Sequence, residues 1–190
     1  MTKIERKTKE TDIVCQLCID DTKQSKIETG IGFFDHMLEA FAKHSGIYIY
    51  LTCKGDIEVD AHHTVEDCAI VLGQALHNEI FPVSNIQRFS DATIVMDEAS
   101  STTVIDISNR PYLVFDMAID GFVGELPTEL VEEFFYALVT NMKISCHIIN
   151  NRGKNKHHII ESIFKSFAIS LKKALTVTKQ AGIPSTKGIV

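Results

Sequence analysis

A chain of 190 residues with 45% hydrophobic and 23% charged residues is long enough to bury a core without disulfides or structural metal, and its composition is neither fibrous nor disordered. A net charge of -6 and a pI near 5.7 argue against a general nucleic-acid binder, whose affinity for phosphate backbones needs clustered lysine and arginine, and leave room only for a local basic pocket. No run approaches the roughly 18 apolar residues of a membrane span, residues 1–11 are charged rather than signal-like, and five cysteines scattered through apolar stretches make no secreted disulfide framework. A cytoplasmic protein with reduced thiols is expected.

Residues 13–19 read as a strand closed by a polar turn over 20–24, with a short returning strand at 26–28. Phe33, Phe34, Met37, Leu38 and Phe41 recur at helical spacing between Gly32 and Gly46, which predicts a helix over 34–44. The β-branched and aromatic run 47–53 is a strand by composition. An amphipathic helix then runs from Thr64 to Ile80 and stops before Pro82, with His62 and His63 at its entrance. Beyond a linker at 82–85, strands are predicted over 92–96, 102–107 and 112–117. A helix over 130–139, a strand over 142–149 and a helix over 157–175 follow.

The second half repeats the element order of the first. His62-His63-Thr64-Val65-Glu66 returns as His157-His158-Ile159-Ile160-Glu161, 95 positions later. Internal duplication is the economical explanation. Runs of strands with grouped helices predict an α+β fold: a duplicated two-layer sandwich, each half a mainly antiparallel sheet with helices on one face. Residues 1–86 form the expected first half-repeat, and 87–190 the second together with a C-terminal tail.

Positions three and four apart share a helix face, so Glu66 reaches the region of His62 or His63, and Glu161 that of His157 or His158. Adjacent histidines point about 100° apart around the axis and serve two ions more naturally than one. Further ligands are available in His36, His44 and His147. Imidazole and carboxylate without clustered thiolates suit Mn, Zn or Fe(II). One His-His pair is usually an exposed helix end, but two copies with matching glutamates are harder to explain that way. Arg88, Arg110 and the tail Ser185-Thr186-Lys187-Gly188 carry groups suited to phosphate oxygens. Cys15 and Cys18 point to opposite faces of a strand and favour no redox or zinc role. Asp97, Glu98 and Asp106 lie near strand ends, where structural roles have the edge. A dinuclear hydrolase such as a phosphatase, or a metal-storing cage without chemistry, fits the same ligand set.

Phe34-Asp35-His36-Met37-Leu38 with His44, His62-His63-Thr64-Val65-Glu66-Asp67, Arg88-Phe89, Met96-Asp97-Glu98-Ala99, Asn109-Arg110-Pro111, His157-His158-Ile159-Ile160-Glu161 and Ser185-Thr186-Lys187-Gly188 together resemble the imidazoleglycerol-phosphate dehydratase family, nearly end to end. Phe34 stands where that family often has Leu, and 41–43 differs too, without touching a candidate ligand. The resemblance implies a duplicated fold like ribosomal protein S5 domain 2, and a homo-oligomeric cage of twenty-four subunits with active sites between them and two Mn2+ ions in each site. It implies metal ligation by His36, His62, His63, Glu66, His147, His157, His158 and Glu161. The substrate would meet Glu10, His36, His44, His62, Glu66, Arg88, Arg110, His157, Ser185 and Lys187, with Arg88, Arg110, Ser185 and Lys187 on its phosphate. The implied reaction removes water from imidazoleglycerol phosphate to give imidazoleacetol phosphate. Glu161 and Glu10 would be the catalytic proton carriers.

Overall fold

In β2 (Thr11–Cys18) every second residue is buried, and Ile13, Cys15 and Leu17 form its inner face. It pairs antiparallel with β1 (Thr2–Lys7) and with β4 (Tyr48–Gly55), which in turn pairs parallel with β3 (Lys26–Glu28), giving the order β1-β2-β4-β3. The protein is described by a computed structural model covering residues 1–19, 21, 23–179, 182, 185, 186 and 190. Residues 1–11, expected only to be charged, hold a full strand. Its inward side carries Ile4 and Arg6, and Arg6 is anchored to Asp67 of α2 (His62–Ile80) at 2.8 Å. Tertiary pairing rather than local propensity creates β1.

α1 (Gly32–Ser45) lies between β3 and β4 in the sequence, and α2 follows β4. Both helices extend slightly beyond the expected bounds. Gly46 ends α1 in the left-handed conformation, its N–H returning to the Ala42 carbonyl at 3.0 Å.

The second half has β5 (Phe89–Met96), β6 (Ala99–Asp106), β7 (Tyr112–Asp116), α3 (Leu130–Met142), β10 (Ser145–Arg152) and α4 (Lys156–Ala174). Its sheet order, β5-β6-β10-β7, and its pairing senses, antiparallel, antiparallel and parallel, are those of the first sheet. A small hairpin of β8 (Phe122–Val123) and β9 (Leu126–Pro127), not anticipated, is inserted before α3. The α+β class and the one-sided helix layers are as expected.

The two helix layers face each other. α1 packs on α4 and α2 on α3, and aromatic pairs fill the seam: Phe34 with Phe134 at 5.4 Å, Phe41 with Phe167 at 5.7 Å. At Gly73 of α2 an added Cβ would sit 2.7 Å from the Leu138 carbonyl oxygen, so α2 and α3 cross backbone to backbone. Each sheet is left with one outer face. That of the first sheet carries Lys3, Glu5, Lys7, Asp12, Lys26, Glu28 and Lys54, whereas that of the second exposes Phe89, Val95, Val104, Tyr112, Val114 and Ile149. Among the described residues no helix is long and apolar enough to cross a membrane.

Candidate metal centre

α4 begins with Asn155, whose side-chain oxygen accepts the N–H of His157 at 2.9 Å and fixes the first turn. One turn on, Glu161 turns back to His157, its Oε2 3.0 Å from Nε2. α1 brings His36 to the same oxygen at 3.8 Å, and the ligand atoms of His36, His157 and Glu161 all lie within 4.8 Å of one another. Two imidazole nitrogens and a carboxylate at this spacing suit a divalent cation of the Mn, Zn or Fe(II) type. The two histidines are open to solvent, while the Glu161 side chain is only 8% exposed.

Lys165, one further turn along α4, holds the other Glu161 oxygen at 2.6 Å. Burial alone would raise the Glu161 pKa, but Lys165 and the two histidines hold it below the ordinary carboxylate value. The acid is therefore ionised at neutral pH. His44, two turns after His36, is lowered by burial and by the Lys165 charge, which places it beside the same cluster. Lys165 was not singled out in the sequence. Its signal is the four-residue spacing from Glu161, which means little until the glutamate's direction is known.

The first motif repeats this construction. Asp60 accepts the His62 N–H at 2.8 Å, and His62 Nε2 faces Glu66 Oε2 at 3.8 Å. Among the described residues no third His, Cys, Asp or Glu joins His62 and Glu66, and α3, the helix packed against α2, contains no histidine. The second histidine of each motif points elsewhere. His63 Nδ1 lies 3.1 Å from Asp56, with Glu10 at 3.8 Å from its Nε2. His158 Nδ1 lies 2.8 Å from Glu98, with Asp97 at 3.8 Å from its Nε2. Hydrogen bonding to Asp56 and to Glu98 raises both histidine pKa values. Glu98, which also accepts the backbone N–H groups of Asn155 and Lys154, is pulled down to about 2.

Of the remaining predicted residues, His147, Arg88 and Arg110 lie apart from the trio. His147 projects from the outer face of the second sheet, in register with Val104 on one side and Val114 on the other. Arg88 is paired with Asp106 at 2.7 Å, and its backbone N–H meets the Ala174 carbonyl at the far end of α4 from His157. At 1.5 Å per residue Ala174 is about 25 Å along the helix from His157 and about 20 Å from Glu161. Exposed Arg110 sits by Ser145, whose hydroxyl donates to its carbonyl at 3.1 Å. Ser185 is half-buried in the tail, and Lys187 lies outside the described residues. Within this chain, then, the phosphate candidates Arg88 and Arg110 and the ligand candidate His147 do not join the trio.

A profile of the imidazoleglycerol-phosphate dehydratase family matches residues 29–171, which include both histidine motifs and the trio. The chain belongs to this family. Relatives named imidazoleglycerol-phosphate dehydratase from Aliarcobacter butzleri and from Nitratiruptor sp. are each 57% identical over 190 residues, covering all of both sequences. The crystal structure of imidazoleglycerol-phosphate dehydratase from Staphylococcus aureus superposes with a TM-score of 0.83 at 41% identity, over 94% of this protein and 100% of that one. The enzyme from Pyrococcus furiosus, in complex with (S)-C348, gives 0.85 at 34% identity, over 98% and 100%. Members of the imidazoleglycerol-phosphate dehydratase family are hydro-lyases by name, so the protein is a lyase of histidine biosynthesis rather than a hydrolase.

Proposed function

We propose that the protein eliminates water from D-erythro-imidazoleglycerol phosphate to give imidazoleacetol phosphate, in the cytoplasm, with two Mn2+ ions per active site. The convergence of His36, His157 and Glu161 within 4.8 Å carries this reading. His62, His63, Glu66, His147 and His158 complete the ligand set, and bound Mn2+ supplies Lewis acidity toward the imidazole ring and the departing hydroxyl. The protein's own groups move the protons. The ring N–H proton leaves, the bond from carbon to the departing hydroxyl breaks as a proton joins the hydroxyl to release water, a carboxylate takes the carbon proton, and the ring nitrogen regains a proton, leaving an enol that becomes the ketone. Glu161, ionised and anchored by Lys165, and Glu10, beside His63, are the proposed carriers. His44 lines the site near Glu161. Arg88, Arg110, Ser185 and Lys187 hold the phosphate.

The separation of Arg88, Arg110 and His147 from the trio supports sites shared between subunits of a twenty-four-subunit cage. The outer sheet face that exposes Val104, Val114 and Ile149 around His147 is the surface such contacts would cover. The test incubates metal-stripped protein with imidazoleglycerol phosphate, with and without Mn2+, and follows ketone and inorganic phosphate together. Mn-dependent ketone without phosphate release is the expected result. Absence of ketone from folded, metal-loaded protein overturns the proposal, and phosphate release points to a hydrolase.

A further inference from the structure

A histidine can offer one ring nitrogen to a cation only if its proton rests on the other, and a hydrogen bond at that other nitrogen decides the matter. Both second histidines of the duplicated motif have such a partner on Nδ1. Asp56, in the turn between β4 and α2, presents both carboxylate oxygens to His63 Nδ1, at 3.1 and 3.2 Å. Glu98, in the β5–β6 turn, presents Oε2 to His158 Nδ1 at 2.8 Å. Glu98 is itself immobilised, because its Oε1 accepts the N–H groups of Lys154 and Asn155 at 3.0 and 2.8 Å. At each Nε2 the neighbouring carboxylate, Glu10 or Asp97, stands at 3.8 Å, too far for a hydrogen bond. Asp56 and Glu98 come from different turns of the two halves, yet do the same thing to equivalent histidines.

We infer that Asp56 and Glu98 are positioning residues that hold His63 and His158 in the Nδ1–H form, leaving both Nε2 lone pairs free for a divalent cation. Their use of a metal rests on the proposed function; the proton placement does not, since it exists without metal. Glu98 makes a sharp case. In Glu98→Gln the amide oxygen stays with the two backbone N–H groups, so the NH2 turns to Nδ1, accepts no proton and drives His158 to the Nε2–H form. Asp56→Ala removes the acceptor from His63 without replacing it.

The experiment is solid-state 15N NMR of sedimented, metal-free, 15N-histidine-labelled protein, above the histidine titration range, with signals assigned by His63→Asn and His158→Asn. Expected are Nδ1–H rings for both histidines in the parent, inversion at His158 alone in Glu98→Gln, and loss of the preference at His63 alone in Asp56→Ala. Each variant controls for the folding of the other. Mn2+ affinity, by competition with a chelator, should fall about 10–100-fold in each variant. An Nε2–H ring in the parent, or unchanged tautomer and affinity in both variants, overturns the inference even if the parent turns over substrate. The expected tautomers in a protein that makes no ketone would leave the inference standing and remove the proposed function.

Discussion

Glu161 divides its two oxygens between different tasks: Lys165 holds one, while the other faces His157 and His36. Replacing it with Gln keeps the shape but removes the charge that both tasks use. Turnover should fall by about 10²–10⁴-fold, as for loss of a general acid or base, with a smaller change in substrate affinity. Steady-state kinetics beside direct substrate binding separate the two, and unchanged turnover sinks the assignment. At this scale the sequence was informative where spacing alone settles geometry. His157 and Glu161 could be placed on one helix face from their four-residue separation. That His36 joins them, and that Glu98 rather than Asp97 meets His158 Nδ1, depends on how distant elements pack, which no local pattern records.

The same limit applies to elements. The periodicity of Phe34, Met37, Leu38 and Phe41 was enough to locate α1, whereas β1, with only Ile4 as an inward apolar residue, exists because β2 and Asp67 give it partners. The two-residue strands β8 and β9 were too short to leave any signal. Packing between elements is most confined where α2 meets α3. Gly73→Ala gains helix propensity of up to about 1 kcal/mol, but the new methyl meets a backbone carbonyl at 2.7 Å and must force the helices apart. Overpacking of this kind costs about 1–3 kcal/mol, so a net loss of stability is expected in chemical denaturation. A neutral or stabilised variant would mean that the two helices slide freely past each other.

For the whole molecule, the two sheets share one topology but differ in their outer faces: charged side chains dominate the first, whereas the second exposes an apolar cluster bordered by Asp91, Asp106 and Asp116. Singly exposed apolar residues are ordinary, but Val104, Val114 and Ile149 surround His147 as a patch. Val104→Lys puts a charge into that patch without touching the core. The expected outcome is a smaller particle by light scattering with native circular dichroism, and loss of Mn-dependent turnover with it. A particle of parental size would mean that this patch is not a contact between copies of the chain. The trio itself spans the duplication, since His36 is encoded before the linker and His157 and Glu161 after it. A gene severed at the linker would yield two fragments, neither with all three donors. Divalent-ion uptake that requires His36 in one fragment and Glu161 in the other would then report their reunion, a built-in signal for complementation.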